Sequence, residues 1–224
     1  KNESSASTST STSTSNELLA LLKLPSVEIT MPPPSSTIVE PRLACRSGKQ
    51  NDPIECSLHT LPKQLIREFK HVFVEKYLRG ESESNSCDGD VSMNDSDVEI
   101  LAIPTNQHAR HDLVAVGEEI EAEKDRLLNC FLEFGEEICG KIVAAGYWAD
   151  YIDPCSGLPM LTKSCNKVYS EVDGMECLLN YRAYNAGFCK VLTHPKWGSA
   201  VYPATIFCYA PRQVVAEILN GQYI

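Results

Sequence analysis

From Glu118 to Ala145, apolar residues fall at Ile120, Leu127, Leu128, Phe131, Leu132, Ile138, Ile142 and Val143. This spacing predicts one long amphipathic helix. Glu118, Glu119, Glu121 and Glu123 occupy its first turns, where negative charge suits the helix dipole, and Gly146 sits where a helix C-terminus favours glycine. Beyond Gly146 the pattern changes to β structure. Tyr147–Ile152 reads as a strand, Leu158–Thr162 and Asn166–Tyr169 as weaker ones, and Ala186–Thr193 and Ser199–Tyr209 as stronger ones. Pro203, inside the last of these, implies an edge or a bulge. Pro211 then opens a final helix with Val214, Val215, Ile218 and Leu219 on one face. Upstream, Ile54, Cys56 and Leu58 alternate with polar residues as in a half-buried strand. Thr60 and Pro62 open a helix whose apolar face is Leu65, Ile66, Phe69, Phe73 and Tyr77. Val98–Ile103 reads as a strand, Pro104–His111 as a loop and Leu113–Val116 as a short strand. The order predicts an α+β domain with helices packed on a mainly antiparallel sheet.

The domain is expected to span residues 53–224. Residues 1–52 read as a disordered low-complexity region and linker: the Ser/Thr tract at the start has almost nothing to bury. Glu17–Leu24 is a short apolar patch ended by Pro25, and Met31–Ser36, with three prolines, reads as linker. Arg79–Asp97 is an acidic, Ser-rich insertion expected as a loop; its Asp-Gly-Asp lacks the ligand spacing and closing Glu of a calcium loop. Because the chain starts at Lys1, it reads as a fragment or a processed product, and a targeting segment upstream could not be seen.

A net charge of −10 argues against nucleic acid as a general partner. No apolar run approaches the ~20 residues of a membrane helix. Glycine-rich phosphate-cradling motifs are missing, which leaves flavin proteins without such motifs open. His108 and His111 form an H-x-x-H pair in the expected loop, without a third ligand at suitable spacing. The ten cysteines contain no C-x-x-C pair and are expected as free thiols in a reducing compartment, with Cys130 and Cys139 acting as small hydrophobes in the long helix. Cys189, His194 and Asp150 supply the residue types of a Cys-His-Asp nucleophilic set, though sequence gives no geometry. In a strand, Cys189 shares a face with Val191 while Lys190 points the other way. A strand cysteine is expected in the core; the functional alternative is an exposed thiolate acting as a soft metal ligand. Gly187 would let a partner approach the backbone closely.

The segment Gly146–Leu158, GYWADYIDPCSGL, packs Tyr147, Trp148, Tyr151 and Ile152 around Asp150 and Asp153 before breaking at Pro154. Asp153 is expected to cap that turn, and the aromatic rings to lie in the core. Together with Cys189-Lys190-Val191, His194, Trp197-Gly198 and the strand–helix start Glu55–Phe69, this string resembles the cobalamin trafficking D-type family, also called methylmalonic aciduria and homocystinuria type D proteins.

The resemblance implies a nitroreductase-like α+β fold without flavin and a non-catalytic adaptor with no cofactor of its own. It implies that the C-type cobalamin-processing protein is the partner. The cargo is then directed to methionine synthase in the cytosol and methylmalonyl-CoA mutase in mitochondria. Cys189 matches the thiol that coordinates cobalt of partner-held cobalamin. A flavin-dependent reductase of nitroreductase-like fold is the alternative. Three departures stand out: some relatives carry two adjacent cysteines where this chain has Phe188-Cys189, Cys155 stands where the pattern more often has Ser, and the acidic insertion Arg79–Asp97 is longer than usual.

Overall fold

The computed structural model describes residues 36–39, 53–73, 98–162 and 167–221. The expectations for Glu17–Leu24 and for the insertion Arg79–Asp97 lie outside these residues, as do Cys45, Cys87 and Cys165.

The described elements are β1 (Ser36–Val39), β2 (Ile54–Ser57), β3 (His59–Thr60), α1 (Lys63–Val72), β4 (Val98–His108), α2 (Glu118–Ala144), β5 (Trp148–Tyr151), α3 (Glu171–Leu179), β6 (Arg182–Ala186), β7 (Cys189–Thr193), β8 (Val201–Pro211) and α4 (Arg212–Leu219). The main sheet is antiparallel, in the order β1-β2-β4-β8-β5, with β3 also on β4. β6 and β7 form a separate hairpin. The fold is therefore mixed α+β on a mainly antiparallel sheet. The sheet also takes in β1, upstream of the boundary expected at Pro53.

Alternation along β4 and β8 directs one set of residues to each face. Leu101, Ile103, Ala204, Ile206 and Cys208 meet Phe131, Phe134, Ile138 and Ile142 of α2 and Val215 and Ile218 of α4. On the other face Ala102, Val201 and Phe207 meet Leu65 and Phe69 of α1, Met175 and Leu178 of α3, and Leu192 of β7. The sheet is covered on both sides, which is why Cys56 and Ser57, neighbours of opposite orientation, are both buried.

Pro104 falls inside β4, where a loop was expected. Its missing N–H costs nothing there. Cys56 pairs with Thr105 and His59 with Ala102, so Pro104 faces the gap between β2 and β3. Pro203 obeys the same rule: β5 pairs only with Ile206 to Tyr209, leaving β8 an open edge beside Pro203. Three further expectations change: Leu158–Thr162 is not a strand, Leu113–Val116 is a turn, and Ala186–Thr193 is broken by a turn at Gly187-Phe188. Glu171–Leu179, for which no element was expected, is a helix.

α2 ends as its sequence requires. Gly146 adopts φ 89°, while its N–H and that of Tyr147 donate to the carbonyls of Val143 and Ile142. Past it, Trp148 packs edge-on to Phe69 and Phe73 and Tyr151 meets Phe131, so these rings are core. Asp150 is fully buried and accepts N–H bonds from Tyr151, Leu161 and Thr162 at 2.8, 2.9 and 2.8 Å. Its carboxylate replaces the ladder that Leu158–Thr162 lacks. Asp153 caps the Pro154 turn as expected, accepting from the backbone of Cys155 and Ser156 and from the Ser156 hydroxyl.

Asp150→Ala strands buried N–H donors, and it is expected to lower the unfolding free energy by at least about 3 kcal/mol, read from the urea midpoint at unchanged m-value. A second expectation concerns Glu171. Part of its stem is at the surface, but its carboxylate turns inward onto the N–H and hydroxyl of buried Thr205 (3.1 and 2.6 Å). Burial pushes its pKa up to about 8, against the lowering effect of the Thr205 bonds. In the unfolded chain the carboxyl ionises near 4.5. The wild type thus loses stability as pH rises through the window between these values, and Glu171→Gln does not titrate there. The advantage of the Gln variant is expected to grow by more than about 1 kcal/mol from pH 5 to pH 8.

Candidate functional site

The site begins with a turn. β6 and β7 are joined by Gly187 and Phe188, with Ala186 facing Cys189 across the ladder. Gly187 adopts φ 63° and Phe188 does not enter the positive-φ region, the pattern of a two-residue turn with glycine first. Glycine is required there by the turn itself. Cys189 is the first residue after it.

Alternation then decides what each β7 side chain does. Leu192 is buried in the core with Met175 and Tyr181, so Lys190 and His194 also face the body of the domain. Cys189 and Val191 face outward. Cys189 is exposed, contrary to the expectation that a strand cysteine lies in the core. The hairpin lies off the main sheet, so only one of its faces is covered.

Two anchors hold the inward face. Lys190 Nζ donates to Asp173 Oδ1 at 2.6 Å and to Glu176 Oε2 at 2.5 Å, bridging the tip of the hairpin to α3. The bond to Lys190, aided by Ser170, holds the Asp173 carboxyl below its ordinary range, and Asp173 in turn is the main reason the Lys190 ammonium is raised. α3 is itself seated by its Ser170 cap and by the Glu171–Thr205 link. At the far end of β7, His194 is 4 % exposed. Its Nδ1 accepts the N–H of Lys196 (3.1 Å) and Trp197 (3.3 Å), which leaves the proton on Nε2, facing Glu55 Oε1 at 3.3 Å. The His194 bond is the largest influence holding the Glu55 carboxyl below its ordinary range. Tyr181 also donates to Glu55, at 3.4 Å. Trp197 stacks on His194 at 3.9 Å and His108 on Trp197 at 5.0 Å.

This geometry sorts the candidates. His194, Trp197 and Gly198 come together, with mutual His194–Gly198 backbone bonds, as the base that fixes the hairpin. They do not join Cys189. Five residue steps of extended chain separate Cys189 from His194 by ~16 Å, and the two side chains point to opposite faces. Asp150 is committed to the Leu161–Thr162 backbone. The Cys-His-Asp set is therefore not assembled. His108 is a stacking residue, and no group of three or more His, Cys, Asp or Glu is placed to hold a metal among the described residues.

The thiols fall into distinct environments. Cys56, Cys130, Cys139 and Cys208 are buried, and burial pushes the Cys139 and Cys208 thiols far above the ordinary range. Cys155 is exposed in the Asp153 turn, with its Sγ 3.8 Å from the Tyr202 hydroxyl. Cys189, with no hydrogen bond among the described residues, presents the less encumbered sulfur. Such a thiol can donate to a soft metal brought to it from outside, one that has an open or exchangeable position.

A family model described as methylmalonic aciduria and homocystinuria type D protein matches residues 8–219, a span that includes the whole hairpin. Cobalamin trafficking protein CblD of Rattus norvegicus is 32% identical over 157 residues, covering 70% of this chain and 47% of the rat protein. The Homo sapiens protein of that name is 30% identical over 169 residues, covering 75% and 51%. That of Gallus gallus is 29% identical over 173 residues, covering 77% and 52%. The chain spans about half the length of these curated relatives. It belongs to the methylmalonic aciduria and homocystinuria type D protein family.

Proposed function

We propose that this chain is a non-catalytic adaptor of intracellular cobalamin trafficking, in which Cys189 coordinates the cobalt of cobalamin held by a C-type cobalamin-processing protein. The observation that carries the reading is the exposure of Cys189 on a hairpin anchored at both ends. The cobalamin is cargo. The Cys189 thiol gives its proton to water, and the thiolate replaces the axial water of cobalt(III). One Co–O bond breaks and one Co–S bond forms, with no electron transferred. An outward thiolate needs no corrin pocket in its own domain, because the partner supplies the cleft. Lys190 and the His194 cluster limit the conformations the tip must lose on docking. The onward direction to methionine synthase and methylmalonyl-CoA mutase, and residence in cytosol and mitochondria, are part of the same proposal. So is a nitroreductase-like ancestry without flavin.

The test is spectroscopic. Mixed with the cobalamin-loaded partner, the native chain is expected to give thiolato-cobalamin absorption bands, Cys189→Ser none, and Cys155→Ser the full bands. Equal bands in native and Cys189→Ser preparations would end the assignment. The flavin reading is checked separately. The purified protein is expected to be colourless and to take up no flavin on titration; stoichiometric uptake would favour the flavin-dependent reductase.

A further inference from the structure

The tip of the hairpin carries a feature that its folding does not need. Phe188 is 111% exposed, the most exposed of the large apolar side chains among the described residues. The second position of a glycine-first turn accepts almost any residue, since only the first needs positive φ. A polar residue would serve the turn equally well and keep an aromatic ring out of water. The surroundings are apolar too. Cross-strand pairing puts Ala186 beside Cys189 and Tyr184 beside Val191 on the outward face, and Tyr184 is 41% exposed. The exposed thiol thus sits in a small apolar surface with an aromatic ring at its edge. Isolated exposed hydrophobic residues are ordinary, but an aromatic ring next to an exposed thiol on an anchored turn is the composition of a contact centre.

Tether length names what the ring meets. Adjacent Cα atoms are ~3.8 Å apart, and a metal–thiolate bond is ~2.3 Å. The backbone of a residue next to a cobalt-ligating cysteine therefore lies within reach of the corrin macrocycle, and since Lys190 is turned inward onto α3, Phe188 is the neighbour placed to meet it. We infer that Phe188 packs on the corrin face of the cobalamin that Cys189 ligates, and so acts as a positioning residue for the Co–S bond. This rests on Cys189 being the cobalt ligand. Contact of an aromatic ring with the macrocycle adds affinity that the thiolate alone lacks, and it restricts the angle from which sulfur approaches.

The test uses free aquacobalamin, with no partner protein, titrated into the native chain, Phe188→Ala, Phe188→Trp and Cys189→Ser. Phe188 is fully outside the core, so the variants are expected to melt with the native chain. Phe188→Ala is expected to weaken thiolato-cobalamin formation about ten- to a hundredfold, the value of burying an aromatic side chain. Phe188→Trp should stay within about threefold of native, and alkylation of Cys189 by iodoacetamide should proceed at the same rate in the native and Ala forms. A Phe188→Ala titration matching native, with bands still lost in Cys189→Ser, overturns the corrin contact and leaves the Cys189 reading intact. A loss in Phe188→Ala that occurs only with partner-held cobalamin also overturns it, because the ring then meets protein. Bands persisting in Cys189→Ser overturn both.

Discussion

The pairing of β4 with β8 is the constraint on which the rest of this domain depends. The strands run antiparallel in unbroken register from Val98 opposite Pro211 to His108 opposite Val201. Both faces of this ribbon are covered, by α2 and α4 on one side and by α1, α3 and the hairpin on the other. A one-residue slip of β8 would exchange its two sets of core residues, placing Thr205 where Ala204 or Ile206 now packs. The covering elements also take their anchor points from it. Glu171 seats α3 on Thr205 of β8, and His108 at the end of β4 closes the stack over Trp197 and His194.

The hairpin inherits its orientation from that ribbon through a short chain of contacts. β8 holds α3, α3 holds Lys190, and β2 holds His194 through Glu55. None of these contacts is strong alone, and the Lys190 pairs are solvent-exposed and worth little in stability. Their effect is geometric. With Lys190, Leu192 and His194 facing inward, the odd-numbered residues that alternate with them, Cys189 among them, must face out. The exposed thiol is the outcome of a five-residue strand with one covered face, and it needs no dedicated pocket.

Much of the layout was legible in the sequence. Periodicity gave α2, with its glycine end, because twenty-odd residues of one repeat leave little room for another reading. Pro203 was read correctly as an edge signal. Pro104 obeys the same rule, yet its local sequence reads as a loop, because the gap between β2 and β3 that accommodates it is set by residues some fifty positions upstream. α3 was missed because it is short and contains Gly174, whose hydrogen makes room for the Tyr169 hydroxyl. Within the site, Cys189 was visible as a residue type, and its face relative to Lys190 followed from strand alternation. Its exposure was not, since that depends on which face of the hairpin the distant α3 covers. The Glu55–His194 link joins residues 139 positions apart and leaves no local signature. The Gly187-Phe188 turn did have a signal, a glycine-first pair between two β-prone runs, which reading Ala186–Thr193 as one strand obscured.

The central claim, that an outward Cys189 supplies sulfur to cobalt, is tested most directly by cobalt X-ray absorption on the complex of the native chain with its cobalamin-loaded partner. A sulfur atom is expected among the nearest neighbours of cobalt, and it is expected to vanish in the Cys189→Ser complex. Nitrogen and oxygen neighbours alone in the native complex would contradict the claim.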